Sequence, residues 1–181
     1  SAAFYNERQR VQIKLSKVLE QDETFGIGMN GEILSVQFAL YAAEDLTAAD
    51  GSVIPKDGLI EIVSCDENGK AVFTTDIPVG SSLYVKEYSA DEHYLISDKS
   101  YPVLFEYEGQ DIETVYISIN NGEAISNDLI RGSVMGKKVD EDGFAVGGAV
   151  FGLFKADETE FTKEKALLTA ESKEDGVFTF E

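Results

Sequence analysis

Residues 11–19 read VQIKLSKVL, with apolar side chains at alternate positions from Val11 to Leu15. Side chains two apart in a β-strand point to the same face, so this stretch predicts a strand with one face in a core. Lys17 continues the apolar series and is therefore expected to point inward. A lysine in a core is unusual, because this side chain is almost never fully buried unless it is paired.

Strand patterns dominate the rest of the chain. Short runs rich in Val, Ile, Phe and Tyr alternate with Gly, Asn and Asp turns, which is typical of an antiparallel β-sandwich. The sequence Asn121-Gly122 separates the last two runs and predicts a hairpin between them. We predict an all-β fold with strands at Val11–Leu19, Ser35–Ala42, Leu59–Ser64, Ala71–Thr75, Ser82–Tyr88, Tyr101–Tyr107, Thr114–Ile119 and Glu123–Asp128.

The chain also contains an internal repeat. It predicts a complete module at residues 8–130 and the front part of a second module at residues 131–181. Because the second repeat stops before all strands have recurred, we expect its apolar face to be completed by sequence absent here or by a neighbouring chain, or else to remain poorly ordered. The matching segments are RVQIKLSKV (10–18) with RGSVMGKKV (131–139), VQFALYAAE (36–44) with AVFGLFKAD (149–157), and NGKAVFT (68–74) with DGVFT (175–179).

Composition excludes several classes of protein. The 181 residues include 34 acidic and 15 basic ones, for a net charge of −19, which repels nucleic acids and anionic lipid surfaces. A single histidine and a single cysteine offer neither a metal cluster nor an internal disulfide. No apolar run approaches the length of a membrane span, and no phosphate-binding glycine motif occurs. We therefore expect no cofactor, no metal, no nucleic-acid partner and no membrane insertion of this segment.

Two further polar residues share a face with core positions. Glu87 has the parity of Leu83 and Val85, and Asn127 has the parity of Ile125. Both side chains are therefore expected to point inward, as Lys17 does.

An inward Lys and an inward Glu should meet, because an unpaired buried charge costs several kcal/mol. A neutral amine beside a protonated carboxyl can attack an asparagine carbonyl, release ammonia and leave an amide bond. The alternative is an unreacted Lys–Glu ion pair with Asn as a hydrogen-bond partner, and parity alone does not separate the two.

The chain resembles the Cna B-type (SpaA-like) modules of Gram-positive surface adhesins and pilins. The resemblance rests on IKLSK (13–17), FALY (38–41), YVKE (84–87) followed by Tyr94, and a strand ending in Asn before LIRGSV (129–134). It implies an immunoglobulin-like (prealbumin-like) β-sandwich in which Lys17 is joined to Asn127 by a self-made isopeptide bond, assisted by Glu87. Asn120 is the alternative crosslink partner. Lys138 is the equivalent of Lys17 in the second repeat and is expected to be unreacted.

The resemblance implies a non-enzymatic stalk or shaft module of a protein anchored in the bacterial cell wall. Its partners would be neighbouring modules of the same extracellular protein. The alternative is an adhesin module that binds a host matrix protein or glycan through its loops, for which Glu20–Leu34 and Leu46–Gly58 are the candidates.

Overall fold

The computed structural model describes residues 8–48 and 50–181, which divide into two compact units. One unit runs to Asp22 and continues over Gly26–Leu129, and the other comprises Glu23–Phe25 and Ile130–Glu181. The first unit contains the strands β1 (Arg10–Leu19), β2 (Gln37–Ala42), β3 (Leu46–Thr47), β4 (Val53–Ile54), β5 (Leu59–Ser64), β6 (Lys70–Phe73), β7 (Ser82–Ser89), β8 (Ser100–Leu104), β9 (Thr114–Ser118) and β10 (Ile125–Asn127).

Helix is confined, among the described residues, to two single 3-10 turns at Glu32–Ser35 and Ile119–Gly122. No described helix is long and apolar enough to span a bilayer. The all-β prediction is confirmed.

The first unit is a sandwich of two sheets. One sheet has the strand order β5-β2-β7-β8, and in the other β1 pairs with β6 on one edge and with both β9 and β10 on the opposite edge. Apolar side chains that alternate along the strands of both sheets meet between them, because each sheet buries one face. The largest fully buried ones are Phe38, Phe73, Phe105, Ile13, Leu40, Leu83, Val36 and Val85.

The strand β1 follows the predicted alternation. Val11, Ile13 and Leu15 are buried, and Lys17 is buried in the same series with 2% of its surface exposed. The alternation of apolar residues thus determines which face of β1 packs in the core. Lys17 lies on that face and is buried with it.

The predicted hairpin at Asn121-Gly122 is wrong. β9 pairs in parallel with the first half of β1, and β10 pairs in parallel with its last three residues, so the chain does not reverse between them. Asn120 and Asn121 both adopt left-handed backbone angles, with φ of 53° and 54°. The turn at these two residues connects β9 to β10 without reversing the chain. Ile119 and Ile125, on either side of the turn, both lie in the core.

The second unit repeats part of this pattern with strands β11 (Val134–Lys137), β12 (Val150–Leu153), β13 (Leu168–Glu171) and β14 (Val177–Phe180). β11 pairs with β14 as β1 pairs with β6, and β12 pairs with β13 as β2 pairs with β5. The main-chain N–H of Lys17 donates to Gly69, and that of Lys138 donates to Gly176, so the two lysines occupy equivalent positions.

The second unit has fewer strand partners than the first. Within residues 130–181, all of which the structure describes, β11 pairs only with β14 and β12 only with β13. In the first unit, β1 and β2 have partners along both edges. Several large apolar side chains of the second unit are exposed, among them Val134, Met135, Phe144, Val150 and Phe161.

Candidate functional site

Lys17, Glu87 and Asn127 meet inside the first sandwich. Lys17 Nζ lies 2.5 Å from Asn127 Oδ1 and 3.3 Å from Glu87 Oε1. Asn127 Nδ2 donates a hydrogen bond of 2.6 Å to the same Glu87 oxygen. The lysine and glutamate side chains are 0% and 1% exposed, so the three groups are in mutual contact and shielded from water.

The pairing of β1 with β10 brings Lys17 to Asn127. Their register places Lys17 opposite Ile125 and Leu19 opposite Asn127. Residues two apart in parallel strands face the same side, and the long lysine side chain spans the diagonal to the carboxamide.

Glu87 reaches the site from the facing sheet. It follows Leu83 and Val85 on the core face of β7, as its parity predicts. One carboxylate oxygen faces Lys17 and Asn127, and the other, Oε2, accepts a hydrogen bond of 2.8 Å from the main-chain N–H of Ser97. The carboxylate is therefore held by a donor on each oxygen.

Burial dominates the electrostatics of the amine. Removal from water lowers the pKa of Lys17 below its ordinary value, and the nearby Glu87 carboxylate opposes that shift only in part. The Phe38 ring lies 6.0 Å from Nζ. Cys65 also borders the site, and burial raises the pKa of its thiol to about 11. An amine with a lowered pKa is more readily deprotonated and can then act as a nucleophile.

The geometry brings together an amine, a carboxamide and a carboxylate able to move protons between them. The carbonyl to be attacked is in contact with the amine, and proximity of this kind removes most of the entropic barrier to a reaction. The arrangement can therefore support formation of an amide between Lys17 and Asn127.

The structure places the other two predicted residues elsewhere. Asn120 lies in the left-handed turn, where its side-chain amide donates to the carbonyl of Glu123. Lys138 is partly exposed in the second unit, and its Nζ donates to the carbonyl of Val139. Of the two asparagines considered, Asn127 is the one in contact with Lys17.

Two neighbours of the site were not identified from the sequence. Ser97 contributes a main-chain N–H from an irregular segment, and a backbone donor leaves no signal in residue type. Cys65 is buried in the core, and no local sequence pattern connects it to Lys17. Within residues 8–48 and 50–181, no three His, Cys, Asp or Glu side chains lie together in a group that could bind a metal ion.

No family model matches the sequence, and no curated protein matches it. Solved structures do. The Bacillus anthracis TIE protein matches with a TM-score of 0.63 and 15% identity, over 96% of this chain and 27% of that one. A Streptococcal ancillary pilin matches with a TM-score of 0.40 and 22% identity, over 96% of this chain and 50% of that one.

The Corynebacterium diphtheriae major pilin SpaA, described with a modular pilus assembly and stabilizing isopeptide bonds, matches with a TM-score of 0.39 and 15% identity. That match covers 66% of this chain and 30% of the pilin. The chain thus spans between 27% and 50% of the lengths of these three proteins. The structures that it resembles come from Gram-positive bacteria and include pilins, and with the Bacillus anthracis protein it shares a β-sandwich fold.

Proposed function

We propose that the chain is a structural module of a Gram-positive surface protein or pilus, locked by an amide bond between Lys17 and Asn127. The observation that carries the proposal is the contact of 2.5 Å between the buried Lys17 Nζ and Asn127 Oδ1, with Glu87 touching both. An ion pair alone does not require a carboxamide beside the amine.

The reaction needs no external reagent. Glu87 takes a proton from the Lys17 ammonium, and the neutral amine attacks Cγ of Asn127. The protonated carboxyl stabilises the oxyanion that develops on Oδ1. A proton transferred through Glu87 lets Nδ2 leave as ammonia, and the new amide joins Nζ to Cγ. The event is intramolecular and occurs once per chain, so we place this protein outside the enzymes.

The bond would serve a mechanical role. Lys17 and Asn127 are 110 residues apart in sequence and lie on neighbouring parallel strands near the two ends of the first unit's chain. Tension applied to the two ends shears β1 against β10, and a covalent bond between them bears the load in place of backbone hydrogen bonds. The same bond restricts the unfolded chain, as a disulfide does.

The location and partners follow from this role. We propose that the chain lies outside the cell, at the cell wall, next to further modules of the same protein. Its charge of −19 would keep such an exposed protein soluble. An adhesive role for the loops Glu20–Leu34 and Leu46–Gly58 stays a prediction.

Intact-mass spectrometry tests the proposal. We expect the full chain to be lighter than its sequence by about 17 Da, the mass of the ammonia lost. Lys17→Ala should restore the full mass, and the control Lys14→Ala, three positions earlier and facing outward in the same strand, should keep the deficit. Digestion should release a branched peptide joining residues 17 and 127. An unmodified chain at its full calculated mass would contradict the proposal.

A further inference from the structure

The end of β10 is held by contacts that the crosslinking chemistry does not use. Glu20, which follows β1, donates its main-chain N–H to the carbonyl of Asn127 at 3.0 Å. Its carboxylate accepts the main-chain N–H of Leu129 at 2.8 Å. One residue therefore binds the chain at the carbonyl of Asn127 and again two residues later, at Leu129.

Tyr94 holds Glu20 in turn. Its hydroxyl donates a hydrogen bond of 2.8 Å to the carbonyl of Glu20, and its backbone forms an isolated bridge with Leu129. Only 3% of Tyr94 is exposed, so the hydroxyl is buried at this contact. The next residue, Leu95, donates its N–H to the carbonyl of Asp128 at 3.0 Å.

The same segment also reaches the carboxylate. Ser97 donates its main-chain N–H to Oε2 of Glu87, as described above. Residues 94–97 therefore contact both the segment that carries Asn127 and the group that would move protons. Two of the three reacting side chains are fixed relative to each other by one short segment.

The first loop is shaped to fit this arrangement. A Cβ at Gly28 would lie 2.6 Å from the Tyr94 hydroxyl oxygen and 2.7 Å from the carbonyl oxygen of Glu20, the two atoms that share the hydrogen bond. Gly28 also has a φ of +84°, which favours glycine. A side chain there would separate the two partners.

We propose that Glu20 and Tyr94 form a clamp that aligns the Asn127 carboxamide with the Lys17 amine, and that both are positioning residues for the crosslink. The proposal rests on the proposed function. Neither residue touches the reacting atoms in this structure. They set the path of residues 127–129, and small displacements of reacting groups slow a reaction strongly.

The test is the rate of ammonia loss in the full chain. Protein made in a cell-free system is sampled over time, quenched in acid and weighed, while protease resistance reports folding in parallel samples. In the protease-resistant fraction, we expect Glu20→Ala to slow the mass loss about tenfold or more, and Tyr94→Phe to slow it less. Glu20→Gln keeps an oxygen acceptor for Leu129 and should recover most of the rate, which a loss of general stability would not explain.

Matched controls separate alignment from other effects. Tyr107→Phe removes a hydroxyl from a tyrosine that is 57% exposed and should leave the rate unchanged. Gly28→Ala should slow the reaction, whereas Gly31→Ala, at a similar φ of +87° with its nearest neighbour 3.8 Å away, should not. This pair carries the test if Glu20→Ala does not fold.

The outcomes also distinguish this proposal from the one on which it rests. A wild-type chain that never loses ammonia overturns the proposed function. A wild-type chain that reacts, with Tyr94→Phe, Glu20→Ala and Gly28→Ala reacting equally fast, overturns the clamp alone.

Discussion

Asn127 is the register partner of Leu19, while Lys17 lies opposite Ile125 in the same parallel ladder. The offset of two residues puts the amine and the carboxamide on one face, where a lysine is long enough to reach. A shift of one residue would turn Asn127 to the outer face of the sheet. The register of β10 against β1 therefore determines that the Asn127 side chain faces Lys17.

Glu87→Gln tests the role of the carboxylate. Glutamine has nearly the same size but cannot take the proton from Lys17, so we expect no loss of ammonia by intact mass. The variant also leaves a buried ammonium without its counter-charge, which costs about 3–5 kcal/mol in similar buried pairs. Denaturant unfolding should show this cost together with the stability lost with the crosslink. Glu106→Gln, at an exposed position, is the control and should keep both the crosslink and the stability. If Glu87→Gln still forms the crosslink, the reaction does not require the carboxylate.

The double variant Lys17→Met/Glu87→Gln measures the crosslink itself, because it leaves no unpaired buried charge. Closing a loop of about 100 residues restricts the unfolded chain by about 4.7 kcal/mol. Lys17 and Asn127 are 110 residues apart, so the free energy of unfolding of the first unit should fall by an amount near this figure. Urea unfolding followed by tyrosine fluorescence measures the change. A double variant as stable as the wild type would mean that the bond contributes nothing to equilibrium stability.

Much of the site could be predicted from local patterns. Alternation along a strand is a local property. It predicts that Lys17, Glu87 and Asn127 point inward, because each shares its parity with apolar neighbours, and all three are buried. Their meeting in space is not local. It depends on the register between β1 and β10 and on the facing of two sheets, and parity carries no information on either.

The turn at Asn121-Gly122 shows where local reasoning failed. Asn-Gly favours a tight reversal, but here two asparagines in left-handed conformations continue the chain along the same edge of β1. The pairing of β9 and β10 with β1 outweighs the preference of Asn-Gly for a tight reversal, because both strands bury side chains in the same core. The contact from Ser97 to Glu87 could not be foreseen, since any residue except proline supplies a main-chain N–H.

The protonation of Lys17 should make stability depend on pH. Its pKa in the folded chain lies below the ordinary value of 10.5, so between these two values the unfolded chain binds more protons. The free energy of unfolding attributable to Lys17 therefore rises with pH across that window and is level outside it. Asn127→Ala, which cannot form the crosslink, should show this rise in urea unfolding at a series of alkaline pH values. Asn127→Ala/Lys17→Met should lack it, and equal slopes in both variants would contradict the assignment to Lys17.

Gly69 supports the strand that carries the lysine, and its replacement should be costly. The main-chain N–H of Lys17 donates to the carbonyl of Gly69 at 2.7 Å, and a Cβ at Gly69 would collide with the carbonyl oxygen of Lys17. Gly69→Ala should therefore combine the strain of a φ of +69° with displacement of β1.

Gly80→Ala is the matched control, because Gly80 has a φ of +90° but nothing within 4 Å of an added Cβ. The control should lose about 1–2 kcal/mol from backbone strain alone. Gly69→Ala should lose about 1–3 kcal/mol more, the usual cost of overpacking, and should form the crosslink more slowly. Equal losses of stability in the two variants would show that β1 yields at this contact without strain.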